Sequence, residues 1–353
     1  MRIGLFVRNF SGGGAEYVSV LLANGLVSQG HSVCFFVLES VGPNKCKLDS
    51  QIEIIELKSK RLMFCAFALR KAIKQSGIEK LISNMTHENI VSLVAIYGVK
   101  VGVIGVEHNN FLEEMRRRGL IIYQITKTLV KVLYPRLHSL VCVSEGVRSE
   151  FDRYFHGEFT NLRTIYNPIV WDGEKAPISW RNKFIVGAGR LTKQKNFKML
   201  IQAYSILVKH YGYDGDLVIL GEGSEKASLE YLASELGLQN RVFLLGYVAN
   251  PYSYFLVADC FVLSSLWEGF GNVIVEALLA GCKVVSTDCK YGPSEILENG
   301  EYGSLVKKFN AEELAVAIQN ELSLSRSKQA LVSRGREFST GVAVKKYIEV
   351  LGC

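Results

Sequence analysis

No run of apolar residues in this sequence is long enough to cross a bilayer. The longest worth noting, Leu62 to Leu69, is far short of the roughly 20 residues a spanning helix needs. A secretory signal is also missing, because Met1-Arg2-Ile3-Gly4-Leu5-Phe6-Val7 passes straight from a strand pattern into a glycine-rich turn. The 8 cysteines include no C-x-x-C pair and fall mostly within apolar strands. They read as small reduced core residues, which excludes a disulfide or zinc framework. The glycine-rich turn Gly12-Gly13-Gly14-Ala15-Glu16 is neither G-x-G-x-x-G, since Tyr17 holds the last position, nor a P-loop, since no Lys-Ser/Thr follows. Short-period repeats and low-complexity segments are lacking. These absences predict a cytoplasmic protein, soluble or peripheral on a membrane.

What is present is globular in composition, with 48% hydrophobic and 21% charged residues over 353 positions. That length predicts two domains of roughly 150 to 180 residues. The charge is unevenly divided. Met1–Pro168 carries 21 Lys and Arg against 14 Asp and Glu, whereas 169–353 carries 20 of each, so the whole excess of +7 lies in the N-terminal half. Nucleic acid, an anionic membrane surface or an acidic substrate could each account for it. Basic residues bracket apolar ones at Lys58–Lys74 (Lys58, Lys60, Arg61, Arg70, Lys71, Lys74) and at Arg116–Arg136 (Arg116-Arg117-Arg118, Lys127, Lys131). Such segments suit a membrane interface, and equally a core helix with a solvated basic face.

Along the chain, continuous apolar runs alternate with helical periodicity. Strands are predicted at Ile3–Val7, Ser32–Leu38, Ile52–Leu57, Lys80–Ser83, Val101–Val106 and Leu140–Val143. Helices are predicted from the Ser11–Glu16 turn to about Val27, and at about Leu62–Gln75, Ile90–Tyr97 and Leu120–Leu133. Unbroken hydrophobicity indicates strands buried on both faces, as in a parallel sheet, so the first half reads as a doubly wound α/β domain. The stretch Ile169–Pro177 reads as a linker. A second series follows at Phe184–Val186, Leu217–Leu220, Val242–Leu245, Cys260–Leu263 and Lys283–Ser286, with helices at Asn196–His210, Ser224–Leu236, Asn272–Ala280 and Ala311–Leu322. The expected division is therefore 1–168 and 169–353, with a last helix at about 336–353 able to return to the first domain. Two such domains would face each other across a cleft.

The most informative stretch is Ser264-Ser265-Leu266-Trp267-Glu268-Gly269-Phe270-Gly271-Asn272-Val273-Ile274-Val275-Glu276. A buried strand here gives way, through two glycines, to an apolar helix. The helix's first N–H groups and its dipole favour an anion, and Glu268 and Glu276 can accept hydrogen bonds from hydroxyls. Phosphate plus diols is the description of a nucleotide sugar. Arg190 and Lys195, in Gly189-Arg190-Leu191-Thr192-Lys193-Gln194-Lys195-Asn196, suit a diphosphate clamp, although an ordinary solvated basic loop would look the same. His108 follows a strand and would point into the ligand crevice, or serve as a structural hydrogen-bond partner. Ser83–Asn89 reads as a second polar loop at that edge. Asp214-Gly215-Asp216 has the D-x-D form of some metal sites but precedes its strand, so it reads as a turn. Gly221-Glu222-Gly223 is better placed.

This ordered set resembles the retaining glycosyltransferases of family GT4, which have the GT-B architecture, and the resemblance covers essentially the whole chain. Bacterial enzymes that extend polyprenyl-diphosphate-linked glycans are closest in pattern. The resemblance implies catalytic roles for His108, Arg190, Lys195 and Glu268. Arg190 and Lys195 would neutralise the diphosphate of a UDP-linked donor, Glu268 would bind the transferred sugar and His108 would reach toward it. Gly269, Phe270, Gly271, Asn272 and Val273 would meet sugar and phosphate, Glu276 the ribose and the backbone near Tyr247 the base. Gly13 and Gly14 would border diphosphate and acceptor. No metal or other cofactor is implied, nor nucleic acid. The expected partners are a nucleotide-sugar donor, a glycan or lipid-linked acceptor and an anionic inner membrane surface. The rival readings are a nucleotide-sugar epimerase of the same architecture and a non-catalytic partner subunit.

Overall fold

The computed structural model describes residues 1–59, 61–108, 119–170, 178–307 and 309–352. Lys60, Asn109, Asn110, Arg116-Arg117-Arg118 and residues 171–177 of the expected linker lie outside them. The chain forms two compact units, one of Met1–Val170 with Phe338–Cys353 and the other of Trp171–Glu337.

The first unit contains β1 (Arg2–Val7), α1 (Gly14–Ser28), β2 (Ser32–Val37), β3 (Glu53–Glu56), α2 (Ala66–Ser76), β4 (Lys80–Asn84), α3 (Thr86–Ala95), β5 (Gly102–Glu107), α4 (Leu120–Leu133), β6 (Ser139–Cys142), α5 (Glu145–Tyr154) and β7 (Leu162–Thr164). Its strands form one parallel sheet in the order β3-β2-β1-β4-β5-β6-β7. The order reverses between β1 and β4, and ligands of open α/β sheets bind beyond the strand C-termini at such a reversal.

The second unit contains β8 (Phe184–Ala188), α6 (Phe197–Tyr211), β9 (Asp216–Leu220), α7 (Lys226–Glu235), β10 (Val242–Leu244), α8 (Tyr252–Phe255), β11 (Cys260–Leu263), α9 (Asn272–Leu279), β12 (Val284–Thr287), α10 (Pro293–Ile296), β13 (Ser304–Val306), α11 (Ala311–Ser323) and α12 (Lys328–Arg336). Here the parallel order is β10-β9-β8-β11-β12-β13, with the reversal between β8 and β11. Every residue of β8, β9, β11 and β12 is buried, as their unbroken apolar runs require. Two doubly wound units of this kind constitute the GT-B fold.

Three differences from the sequence expectations have physical reasons. The short edge strands β7 and β13 lack an apolar run, because an edge strand is covered on fewer sides. The expected helix at Leu62–Gln75 divides into a single 3₁₀ turn at Leu62–Phe64 and α2. The expected polar loop Ser83–Asn89 is instead the end of β4 followed by the first turn of α3. Its polar residues other than half-buried His87 are buried: Thr86 and Asn89 donate to the Glu107 carboxylate, and the Tyr134 hydroxyl does the same. Polarity marks an internal network here, not a solvated loop.

The chain end, α13 (Thr340–Leu351), belongs to the first unit and packs on α1. A β-bridge between Ile169 and Ser339 and a hydrogen bond from the Thr340 N–H to the Ile169 carbonyl, at 3.2 Å, anchor its start. The two helices meet where α1 has no side chain: a Cβ on Gly25 would lie 2.4 Å from Val344 Cγ2. Gly25→Val should therefore destabilise the first unit by about 1–3 kcal/mol in urea unfolding. Adding Val344→Ala should recover part of that loss. Strict additivity of the two changes would contradict the contact.

Candidate active site

In the second unit the site is built at the reversal between β8 and β11. The loop after β8 is stitched to the loop after β11 by three hydrogen bonds: the Leu266 N–H donates to the Gln194 carbonyl (2.8 Å), Gln194 Nε2 to the Trp267 carbonyl (2.9 Å), and Ser264 Oγ to the Lys195 carbonyl (2.8 Å). These bonds bring Lys195 to Glu268, whose Oε1 accepts from Lys195 Nζ at 2.6 Å and from Ser265 Oγ at 2.6 Å. Both side chains of the ion pair are largely buried, at 14% and 9% exposure. The Glu268 backbone is held on both sides, its N–H donating to the Lys290 carbonyl and its carbonyl accepting from the Tyr291 N–H. An ammonium has three protons, so Lys195 retains two for a ligand, and neither Glu268 contact falls on Oε2.

The α9 N-terminus follows directly. Phe270 is buried, Gly271 precedes the helix, and Asn272, Val273 and Glu276 are half-buried on its first turns. Gly292 has φ +104°, and a Cβ there would sit 1.8 Å from the Phe270 carbonyl oxygen, so only glycine lets α10 approach this turn. Arg334 secures α10 from behind, its Nε donating to the Ile296 carbonyl and its Nη2 to the Glu295 carbonyl.

Beside this, Gly189 and Gly221 bring the ends of β8 and β9 together. A Cβ on Gly221, at φ +139°, would lie 1.9 Å from the Gly189 carbonyl oxygen. Arg190 is exposed on the β8 loop, as are Glu222 and Tyr247 beyond β9 and β10. The Tyr247 N–H approaches Glu222 Oε1 at 3.4 Å. Asp214 pairs with Lys183, and Asp216 accepts from Trp180 Nε1, so both carboxylates of the D-x-D turn are engaged at the opposite end of the sheet. Sequence reading gave no role to Ser264, Ser265 or Gln194. The signal for the two serines is small polar residues directly after a buried strand, β11; Gln194 carries none.

In the first unit, the reversal between β1 and β4 gathers Gly13, Gly14, Asn84 and His108. His108 is buried just beyond β5, its Nε2 2.9 Å from Asn84 Oδ1, and burial pushes its imidazole down to about 4. It is therefore neutral near pH 7. Gly13 caps α1, and a Cβ on it would fall 2.2 Å from Glu16 Oε2. A cavity of about 160 Å³ lies here, lined among others by Arg8, Glu16, Asn84 and Glu88. Glu88 is buried and bonded through Oε1 to Arg8 Nε; burial raises its carboxyl above the ordinary range and Arg8 opposes the rise.

These two sites sit on a chain whose residues 12–170 match the family model glycosyltransferase family 4 and whose residues 173–338 match glycosyl transferases group 1. The chain belongs to the GT4 family of glycosyltransferases and is an enzyme of that class. It is 29% identical over 349 residues, 95% of this chain and 94% of the relative, to the N-acetylgalactosamine-N,N'-diacetylbacillosaminyl-diphospho-undecaprenol 4-alpha-N-acetylgalactosaminyltransferase of Campylobacter jejuni subsp. jejuni. It is 26% identical, over 96% of this chain and 93% of the relative, to the GalNAc-alpha-(1->4)-GalNAc-alpha-(1->3)-diNAcBac-PP-undecaprenol alpha-1,4-N-acetyl-D-galactosaminyltransferase of the same organism. Among solved structures, Anabaena Alr3699/HepE in complex with UDP-glucose superposes with a TM-score of 0.83 at 19% identity, covering 100% of this chain and 99% of that one. These relatives are transferases, which leaves the epimerase and partner-subunit readings without support.

His108 yields a test of the site's electrostatics. The unfolded imidazole protonates near 6.5, whereas the folded one resists protonation down to about 4. Its contribution to stability is present above pH 6.5 and is lost as pH falls through that window, by about 3 kcal/mol in all. His108→Gln should reduce the difference in unfolding free energy between pH 7 and pH 4 by a similar amount, measured by chemical denaturation.

Proposed function

We propose that this enzyme transfers a hexose or N-acetylhexosamine, with retention of anomeric configuration, from a UDP-sugar to the glycan end of a polyprenyl-diphosphate-linked acceptor. The observation that carries the donor half of this reading is the Lys195–Glu268 pair beside the α9 N-terminus. Arg190 and the helix pole supply positive charge where a leaving diphosphate gains negative charge, and Lys195, its charge balanced by Glu268, adds N–H donors. That field makes a divalent metal unnecessary for the departure. Glu268, fixed by Lys195 and Ser265, presents its second oxygen to hydroxyls of the transferred sugar. Glu276 takes the ribose diol, and the backbone at Tyr247 takes the base. Gly269 to Val273 line sugar and phosphate. With no second carboxylate assigned as nucleophile, the acceptor hydroxyl attacks on the face from which the diphosphate departs, and the departing phosphate oxygen takes its proton.

The acceptor half rests on the relatives, which are named for undecaprenol-linked acceptors, and on the first unit. His108, neutral and buried, holds the Asn84 side chain at this end of the sheet without adding charge. Glu16 beside Gly13 favours a neutral acceptor over a diphosphate at the start of α1.

A membrane face completes the reading. None of the helices among the described residues is long and apolar enough to cross a membrane. Phe64, Phe67, Leu120 and Ile121 are nonetheless 74–79% exposed, on segments that all pack beside α3. The nearby cations divide into two groups. Arg70 bonds the Ala95 and Tyr97 carbonyls, Lys127 lies over the Tyr154 ring and Lys131 pairs with Glu158, so these face the protein. Arg61, Lys71 and Lys74 are exposed and available to anionic head groups.

Two measurements test the proposal. Lys195→Ala and Glu268→Ala should each abolish transfer from the UDP-sugar while circular dichroism shows a folded protein; full activity in both would remove the assigned site. Binding to anionic vesicles should weaken as salt rises, and Phe67→Ser with Ile121→Ser should lower it further at every salt concentration. Equal partitioning to neutral and anionic vesicles would refute the electrostatic part.

A further inference from the structure

The turn that carries Glu268, Phe270 and Gly271 is backed by one short segment, residues 290–296. The Lys290 carbonyl accepts from the Glu268 N–H at 2.8 Å, and the Tyr291 N–H donates to the Glu268 carbonyl at 2.7 Å. Further along, the Gly292 backbone lies against the Phe270 carbonyl, and the Cδ1 of buried Ile296 lies 3.7 Å from where a Gly271 Cβ would stand. The segment therefore meets the turn at Glu268, at Phe270 and at Gly271. Most of it is α10, a helix of 4 residues. One helical turn does not hold itself together in water, so the backing must be fixed from elsewhere.

Arg334, on α12, does this. Its side chain is 14% exposed, and it donates through Nε to the Ile296 carbonyl at 2.9 Å and through Nη2 to the Glu295 carbonyl at 2.7 Å. Both acceptors lie at the C-terminal end of α10, where a helix leaves carbonyls without an internal partner. A planar guanidinium can meet two such carbonyls in fixed directions, which an ammonium on a flexible stem cannot. The ion pairs of Arg334 with Glu298 and Glu337 contribute little, because those carboxylates are 52% and 56% exposed. The next residue along α12 is fitted to α9: a Cβ on Gly335 would lie 2.9 Å from Leu279 Cγ and 3.0 Å from the Leu279 nitrogen. Adjacent positions of one helix thus hold α10 and the C-terminal end of α9, and the N-terminal end of α9 is where the turn ends.

We propose that Arg334 is a positioning residue for sugar transfer: through α10 it sets the 268–271 turn at the spacing the transferred sugar requires. This inference rests on the donor-site reading above and adds a residue outside that site. The loop that carries Lys195 is tied down separately, by Gln194 Nε2 and Ser264 Oγ. Loss of Arg334 should therefore disturb the sugar more than the UDP portion of the donor. A misplacement of about 1 Å, caused far from the chemistry, can cost on the order of 100-fold in rate.

The test uses the full chain and Arg334→Met, which keeps a long side chain and removes its donors. Without ligand, amide exchange followed by NMR should quicken about tenfold or more at the Glu268, Tyr291 and Ile296 N–H groups. The Leu266 N–H, bonded to Gln194, should keep its wild-type rate. UDP titration then counts folded donor sites. Per site, hydrolysis of UDP-N-acetylgalactosamine or UDP-glucose, whichever the wild type cleaves faster, should fall about tenfold or more, with UDP affinity within about threefold of wild type. Arg334→Lys should fall between the two and takes the place of Arg334→Met if that variant folds poorly. Local quickening in a protein that neither binds UDP nor cleaves either donor would retain the brace and discard the donor reading. Three results would overturn the proposal: unchanged exchange at the three amides, equal quickening at Leu266, or unaltered turnover per UDP-binding site.

Discussion

The second unit depends on one ion pair. Lys195 and Glu268 come from loops 73 positions apart and meet at 2.6 Å in a largely buried setting. Desolvating two charges is expensive, and a pair of this kind holds only where further hydrogen bonds complete it. Ser265 supplies one, and the Ser264 hydroxyl bonded to the Lys195 carbonyl, with the bonds accepted by the Gln194 and Lys290 carbonyls, fixes both loops so that little freedom remains to be lost. The pair therefore serves as a seam between the β8 and β11 loops, at the point where the strand order reverses. A hydrophobic replacement could close that seam too, but it would leave neither ammonium protons for a phosphate nor a carboxylate oxygen for a hydroxyl.

The two units solve opposite electrostatic problems. Around α9 the helix pole and Arg190 supply positive field and the paired Lys195 supplies N–H donors, which suits a diphosphate. Around the end of β4 no positive field gathers, since Arg8 is paired with Glu88, Glu16 adds a carboxylate over the first turn of α1 and His108 is neutral. A charged leaving group and an uncharged nucleophile would each find a matching environment. The excess positive charge of the N-terminal half thus lies elsewhere, in part on exposed Arg61, Lys71 and Lys74 beside exposed aromatic residues.

How much of this could be read from sequence depends on how far apart the partners lie along the chain. The Glu268–Glu276 stretch was legible because strand, glycines and helix follow one another without interruption. The loop that carries Arg190 and Lys195 was legible as a turn between a strand and a helix, and the parallel sheets followed from unbroken apolar runs such as Leu217–Leu220. The residues at the end of β4 were not. Ser83–Asn89 reads as a polar loop until Glu107 and Tyr134 are brought beside it, and Glu88 has no evident purpose until Arg8, 80 positions earlier, reaches it. Likewise Gly25 looks like a defect in a helix until Val344 fills the space. Long-range burial converts polarity and glycine from loop signals into packing signals, and local pattern carries no trace of that conversion.

The central claim is that the seam between the β8 and β11 loops forms the donor site. Amide hydrogen exchange with and without UDP tests it most directly. The account predicts new protection concentrated at Gly189–Asn196 and Phe270–Glu276, with the Gly13–Tyr17 turn little changed. Protection centred on Gly13–Tyr17 with the two loops of the second unit unaffected would contradict it.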